Sequence, residues 1–316
     1  MNLFDMHADT ITECYCARAD LADGDFSVTL ARADGIKRWR QFFAVFLNDA
    51  IEQPYECARR RIAYASDMFA RMSARIAWNG EDFPAGSSPW AAALSVENGR
   101  ALEGKVECVD EFARLGVRMM TLTWNAENEL ASGCRAPVDN GLSAFGLDAV
   151  HAMEAAGMAV DISHLADRGV ADVLRLARRP VVASHSCARA VCEHPRNLTD
   201  EQLCAVWATG GIVGLALVPV FLTAGEPSFE SIFLQVAHFL SLDGGAGGLA
   251  MGADFDGAEM PPLWDGIDKM PALAEYLRHR GLTAKEVDAV FFGNAQNFWS
   301  QTRTVNEFAT AALTMS

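Results

Sequence analysis

The chain is 316 residues long, 51% hydrophobic, and carries a formal net charge of −15. That length fits one large domain or two ordinary ones, and the hydrophobic share suffices for a sizeable core. The acidic balance argues against a nucleic acid or an anionic membrane as partner, because both are met by clustered lysine and arginine.

Leu3–His7 predicts a short strand that runs into Ala8-Asp9, and Gln41–Phe46 predicts a second. Glu56–Met72 has helical spacing, with Arg59, Arg60 and Arg61 read as a solvated outer face. Trp90–Val96 predicts a third strand ending at Glu97, Val109–Leu115 a short helix closed by Gly116, and Arg118–Thr123 a fourth strand ending at Trp124-Asn125. Ser143 caps a helix that Gly157 stops. Ala159–His164 and Val181–His185 predict strands five and six, each ending in Ser-His. Between them Val170, Val173, Leu174 and Ala177 share one helical face, so the two strands are expected to be parallel neighbours. Thr199 opens a helix with a capping-box-like start. Gly211–Leu217 predicts a seventh strand, Phe229–Leu242 a helix, Gly248–Asp254 an eighth strand, and Lys269–Trp299 helical structure.

Eight strands alternating with helices predict an α/β fold, a (β/α)8 barrel forming one domain over residues 1–316. A doubly wound sheet is the alternative, but it wants a glycine-rich phosphate loop where this chain has His7-Ala-Asp9. The stretches 80–89 and 243–248 read as loops within that domain. Eight cysteines include no Cys-x-x-Cys pair, so reduced buried thiols are expected rather than a zinc knuckle or a disulfide scaffold. No basic stretch followed by an apolar one opens the chain, and no apolar run reaches about 18 residues. A cytoplasmic protein without a membrane span is expected.

The carboxyl ends of barrel strands share one rim, where chemistry is placed. That rim gathers His7 and Asp9 from strand one, Glu97 from strand three, His164 from five, His185 from six and Asp254 from eight. Three histidines and three carboxylates suit a pair of zinc-like ions, and a shared carboxylate can bridge them. The ordinary alternatives are a barrel-end ion pair for Glu97 and a turn-forming side chain for Asp254 or Asp256. His151, His194, His238 and His279 fall on helices or loops and read as surface residues.

In order along the chain, Asp5-Met-His-Ala-Asp9, Ser95-Val-Glu-Asn-Gly99, Asp161-Ile-Ser-His164, Ser184-His-Ser186, Pro195-Arg-Asn197 and Gly252-Ala-Asp-Phe-Asp-Gly257 resemble the renal (membrane) dipeptidase family, with the match running on to Gly293-Asn294. The resemblance implies a (β/α)8 barrel with two zinc ions. His7 and Asp9 would hold one, His164 and His185 the other, and Glu97 would bridge. Arg196 matches the arginine that holds the substrate carboxylate. Asp254 matches the aspartate beside the bridging water and the substrate amine, with Asp256 as its rival. One position departs: animal members carry a histidine after the fourth strand where this chain has Trp124, which has one neutral donor. Stabilising the developing oxyanion then falls to the metals, to Asn125 or Asn128, or to a water. The relatives' lipid anchor has no counterpart in Phe308–Ser316.

The resemblance therefore implies hydrolysis of small dipeptides, L-Xaa-D-Xaa among them. The metals would make a water acidic, Asp254 would carry its proton to the leaving amine, and Arg196 would clamp the carboxylate. Two rivals stand beside this: a hydrolase of another small amide or ester such as an N-acyl amino acid, and a silent binding protein. A homodimer stays open.

Overall fold

In the computed structural model, which describes residues 1–22, 24–73, 76 and 89–301, the predicted apolar runs become strands. They are β1 (Asn2–Ala8), β2 (Arg38–Phe46), β3 (Trp90–Glu97), β4 (Val117–Thr121), β5 (Ala159–Asp161), β6 (Val182–Ser186), β7 (Ile212–Leu215) and β8 (Leu249–Met251). They pair in parallel from β1 to β8, and Asp5 pairs with Met251 to close the barrel. Around it run α1 (Thr10–Ala17), α2 (Pro54–Arg71), α3 (Cys108–Arg114), α4 (Ala144–Ala155), α5 (Asp167–Leu176) and α6 (Asp200–Ala208). After β7 come the short α7 (Pro219–Leu222), α8 (Phe229–Ser241) and the single turn α9 (Gly245–Gly248). After β8 come α10 (Met270–His279) and α11 (Ala284–Asp288). The expected (β/α)8 barrel is the fold observed.

Facing alternates along a strand. On β3, Ala91 and Ala93 lie in the lumen with Phe4, Met6, Phe42, Met119, Val182, Ile212 and Ala250. The same alternation turns Ser95 and then Glu97 inward, closer to the carboxyl rim. Phe292, Ala295, Phe298 and Trp299 pack on the apolar layer from below, with the Trp299 and Phe42 rings 4.6 Å apart. Burying each such ring is worth about 1.5–3 kcal/mol. One mouth of the barrel is thereby sealed with hydrocarbon, and the buried histidines and carboxylates of the rim lie at the other.

Several expectations are corrected. β5 and β8 stop at Asp161 and Met251, so His164 and Asp254 each lie three residues beyond a strand. Both take left-handed backbone, with φ of 70° and 66°. Such conformations cost on the order of 1–3 kcal/mol in a non-glycine residue and cluster at functional sites. Arg59 and Arg60 are exposed, but Arg61 is buried and donates to the Phe46 carbonyl. At about 100° per residue it flanks the stripe Ala58, Ile62 and Ala65, which the helix presses inward. The expected loop at 243–248 contains α9; the other, at 80–89, lies outside the described residues apart from Pro89, as does 308–316. The helical stretch from Lys269 divides at Thr283, which caps α11, and continues through a π-helical turn at Ala289–Gly293. The helix α1 was not foreseen. All eight cysteines are free, and Cys16 is exposed rather than buried. Of the four histidines read as surface residues, only His279 is exposed; His151, His194 and His238 are half-buried, His194 against Phe221 and His238 2.8 Å from Asp200 Oδ1. No helix among the described residues is long and apolar enough to cross a membrane.

Candidate metal centre

Glu97 ends β3, is 2% exposed, and turns its two oxygens toward different histidines. Oε2 lies 3.4 Å from His7 Nε2. Oε1 lies 2.9 Å from His164 Nε2 and 3.8 Å from His185 Nε2. His7 Nε2 is also 3.7 Å from Asp9 Oδ2 and 3.6 Å from Asp254 Oδ1. Three groups, His7–Asp9–Glu97, Glu97–His164–His185 and His7–His185–Asp254, each gather their ligand atoms within 4.8 Å. Two of the three share Glu97. All six residues named for the rim come together.

The hydrogen bonds behind these side chains decide which atoms face one another. His164 Nδ1 lies 3.2 Å from Asn125 Oδ1, a carbonyl oxygen that only accepts, so Nδ1 carries the proton. His185 Nδ1 lies 2.7 Å from Ser184 Oγ, whose own proton goes to the Asp161 carboxylate. His185 Nδ1 is therefore a donor as well. What remains is His164 Nε2 and His185 Nε2, 3.0 Å apart, both presenting lone pairs toward each other and toward Glu97 Oε1. Three acceptors facing one another suit a shared cation. On the other side, both ring nitrogens of His7 and Oδ1 of Asp9 are buried without a hydrogen-bond partner. Buried polar groups are ordinarily paired, so these orphans fit the same explanation. The residues present suit metal ions on both sides of Glu97.

The electrostatics follow. Burial opposes a charge on His7, but the carboxylates of Glu97 and Asp9 outweigh it and hold its pKa well above the usual histidine range. Burial, then the Glu97 charge, pushes Asp9 up to about 8, and burial pushes Asp254 up to about 6. Burial and Arg196 lower His164 to about 4, and burial and His7 hold His185 well below its usual range. Against the effect of burial, His7 and His164 keep Glu97 far below the usual carboxylate range. Without a cation, protons on His7 and Asp9 offset the crowded carboxylates.

The two aspartates of the Asp-Phe-Asp-Gly turn divide their work. Asp256 accepts from Thr10 Oγ1 at 2.5 Å and from the Ser27 N–H at 2.9 Å, tying the turn to α1. Asp254 makes no such bond and turns Oδ1 toward His7. A Cβ at Gly257 would lie 2.3 Å from Asp9 Oδ2 and 2.4 Å from Asp254 Oδ1, so a side chain there would push these carboxylates aside.

A cavity of about 400 Å³ opens on the centre, lined by Asp9, Glu97, Trp124, His164, Arg196 and Asp254 among others. Arg196 is 4% exposed; it donates to the His185 carbonyl at 2.8 Å and to Ser186 Oγ at 3.3 Å, while its Nε has no partner. No carboxylate is paired with this buried cation among the described residues. Trp124 is half-buried, 5.1 Å from the Phe46 ring and 6.4 Å from the His164 ring. Asn125 spends its oxygen on His164. Asn128 is fully engaged: its NH2 donates to Asn98 Oδ1 and the Leu122 carbonyl, and its oxygen accepts from the N–H groups of Leu130 and Ala131. Asn128 is therefore unavailable to substrate. Sequence reasoning missed Glu13 and Arg135 in the lining, and the Ser184–Asp161 support; for the latter, the Ser in each Ser-His strand end was the only local signal.

A family model described as membrane dipeptidase (peptidase family M19) matches residues 1–312. A Klebsiella pneumoniae protein encoded in the pqqA 5' region is 30% identical over 226 residues, 67% of this chain and 83% of that protein. A Schizosaccharomyces pombe protein titled an uncharacterized dipeptidase is 31% identical over 217 residues, 66% of this chain but only 52% of that protein, so the match spans about half the length of the yeast relative. Among solved structures, a Rhodobacter sphaeroides metallopeptidase liganded with a phosphinate mimic of L-Ala-D-Ala superposes with a TM-score of 0.86 at 22% identity, covering 96% of this chain and 99% of that one. A probable dipeptidase of Pseudomonas aeruginosa gives 0.79 at 18% identity, covering 90% of each chain. Identities this low speak to the fold.

Proposed function

The chain belongs to the membrane dipeptidase family, peptidase family M19, and on that premise we propose that it is a metal-dependent dipeptidase acting on small dipeptides, L-Xaa-D-Xaa among them. The observation that carries this is the pairing of Glu97, with one oxygen toward His7 and the other toward His164 and His185, with a buried Arg196 that lacks an anion. His7, Asp9 and Glu97 would hold one ion, and Glu97, His164 and His185 a second; zinc suits this mix of imidazole and carboxylate. Bound there, such ions supply Lewis acidity, polarising a carbonyl and making a water more acidic.

The chain's own residues do the rest. Arg196 offers its free N–H groups to the substrate's terminal carboxylate, a charge-assisted contact that fixes which end of the dipeptide enters. Asp254, facing the cavity beside His7, accepts the proton of the attacking water as its oxygen bonds to the amide carbon. It returns that proton to the nitrogen as the C–N bond breaks. Trp124 and Phe46 wall the cavity and exclude water from one side. Asn125 holds the His164 ring in place rather than meeting the oxyanion. The catalytic unit is the barrel as one domain, and its free cysteines suit a reducing compartment such as the cytoplasm.

The test is elemental analysis together with turnover on a panel of L,L- and L,D-dipeptides, beginning with L-Ala-D-Ala, and on matched N-acyl amino acids. Two ions per chain and dipeptide turnover that chelation abolishes are expected. Protein that holds no metal after reconstitution, or that cleaves only the N-acyl compounds, would overturn the reading.

A further inference from the structure

Two arginines line the same cavity, yet a dipeptide's terminal carboxylate needs only one. Arg196 is buried and pinned by the His185 carbonyl and Ser186. Arg135 is exposed, and among the described residues its guanidinium has no hydrogen bond or ion pair. Its backbone, in contrast, is held firmly. The Arg135 N–H donates to the Asn125 carbonyl at 2.9 Å, the Cys134 N–H to the His164 carbonyl at 2.7 Å, and the Gly133 N–H to the Ala126 carbonyl at 3.1 Å. A Cβ on Gly133 would lie 2.4 Å from the Trp124 carbonyl oxygen and 2.5 Å from those of Asn125 and Ala126, so only glycine lets this turn close on the loop after β4. A long cationic side chain thus stands over the cavity on a base tied to Asn125 and to His164.

The two arginines act on common neighbours. Burial pushes the Cys134 thiol up while Arg196 and Arg135 pull it back, and burial, Arg135 and Arg196 together lower His194. The acidic lining forms another group: Glu13, from the first turn of α1, and Asp256, bonded to Thr10, flank Asp9 and Asp254. The cavity therefore offers both carboxylates suited to the substrate's amine and arginines suited to its C-terminal residue.

Resting on the dipeptide reading, the geometry points to Arg135 as a specificity-determining residue that takes an acidic side chain on the substrate's C-terminal residue. The preferred substrates are then dipeptides ending in aspartate or glutamate. An uncharged side chain leaves the Arg135 charge facing solvent, and a cationic one is repelled.

The experiment measures kcat/KM of the metal-loaded wild type, Arg135→Met and Arg135→Glu on dipeptides beginning with L-Ala and ending in Ala, Asn, Asp, Glu or Lys, in L and D forms. Wild type should favour Asp over the isosteric Asn by about tenfold, the scale of a charge pair in a partly exposed cleft. High salt should shrink that ratio. Arg135→Met should bring it close to one, and Arg135→Glu should shift preference toward Lys. A wild-type ratio near one, or a ratio that survives Arg135→Met, overturns the assignment. Calorimetric binding of the same dipeptides separates the two readings. Acid-selective binding that Arg135→Met abolishes, with no turnover of any dipeptide, sinks the dipeptidase reading and keeps Arg135. Turnover without acid selectivity does the reverse, and the absence of both overturns both.

Discussion

Ser184→Ala isolates one link in the support of the centre. Ser184 Oγ joins His185 Nδ1, at 2.7 Å, to the buried Asp161 carboxylate. Removing the hydroxyl leaves His185 Nδ1–H buried without an acceptor, while Asp161 keeps the Ser163 and Ser184 N–H groups at 2.9 Å and Thr121 Oγ1 at 2.9 Å. The damage thereby falls chiefly on His185, with the longer 3.4 Å contact to Ser163 Oγ also lost. Losing the outer partner of a metal-bound histidine typically weakens metal affinity about 10–100-fold, which is about 1.4–2.7 kcal/mol. The unpaired donor costs about 1–3 kcal/mol by a separate route, in agreement. Competition titration of zinc against a chromophoric chelator reads this directly. One of two binding steps should weaken by that factor while the other, which relies on His7 and Asp9, holds. Two wild-type steps in a folded Ser184→Ala protein would refute both the tautomer assigned to His185 and its place among the ligands.

Glu97→Gln should lose both ions rather than one, because each set of histidines meets a different oxygen of the same carboxylate; retention of one ion, read by elemental analysis, would remove Glu97 from the shared position. Arg196→Met should lower kcat/KM by about two orders of magnitude or more, the worth of a desolvated charge pair of about 2–4 kcal/mol, with metal content intact. Cleavage of a dipeptide amide as fast as the free acid would contradict the clamp. The ion-free protein should melt at a lower temperature at pH 8 than at pH 6.5. Asp9, raised from its ordinary 3.8 to about 8, stabilises the fold only while protonated, so that contribution fades as pH rises through 8. His164, lowered from 6.5 to about 4, works in the opposite sense but below this window. A melting temperature of the chelated protein that climbs across the window would show that the carboxylates are not crowded as described.

The sequence by itself determined the barrel and the membership of its centre. Parallel strands buried on both faces must be written as apolar runs, and residues that end those runs must fall on one rim; His7, Asp9, Glu97 and His185 were legible for that reason. His164 and Asp254 were legible as residues but not as strand ends, since a left-handed φ leaves no periodic trace. The tertiary structure alone decided that Asp254 faces His7 while Asp256 faces Thr10 and Ser27, a contact across more than 220 residues of chain. It alone decided that Asn125 serves His164, that Asn128 is spent on its own loop, that Arg61 turns inward to Phe46, and that Arg135 stands over the cavity. Periodicity reports which face of a strand or helix meets the core, because that pattern repeats every two or 3.6 residues. Which atom of a side chain meets which partner depends on how distant segments are brought together. That is fixed by closure of the barrel and by the hydrogen bonds of loops that carry no repeat.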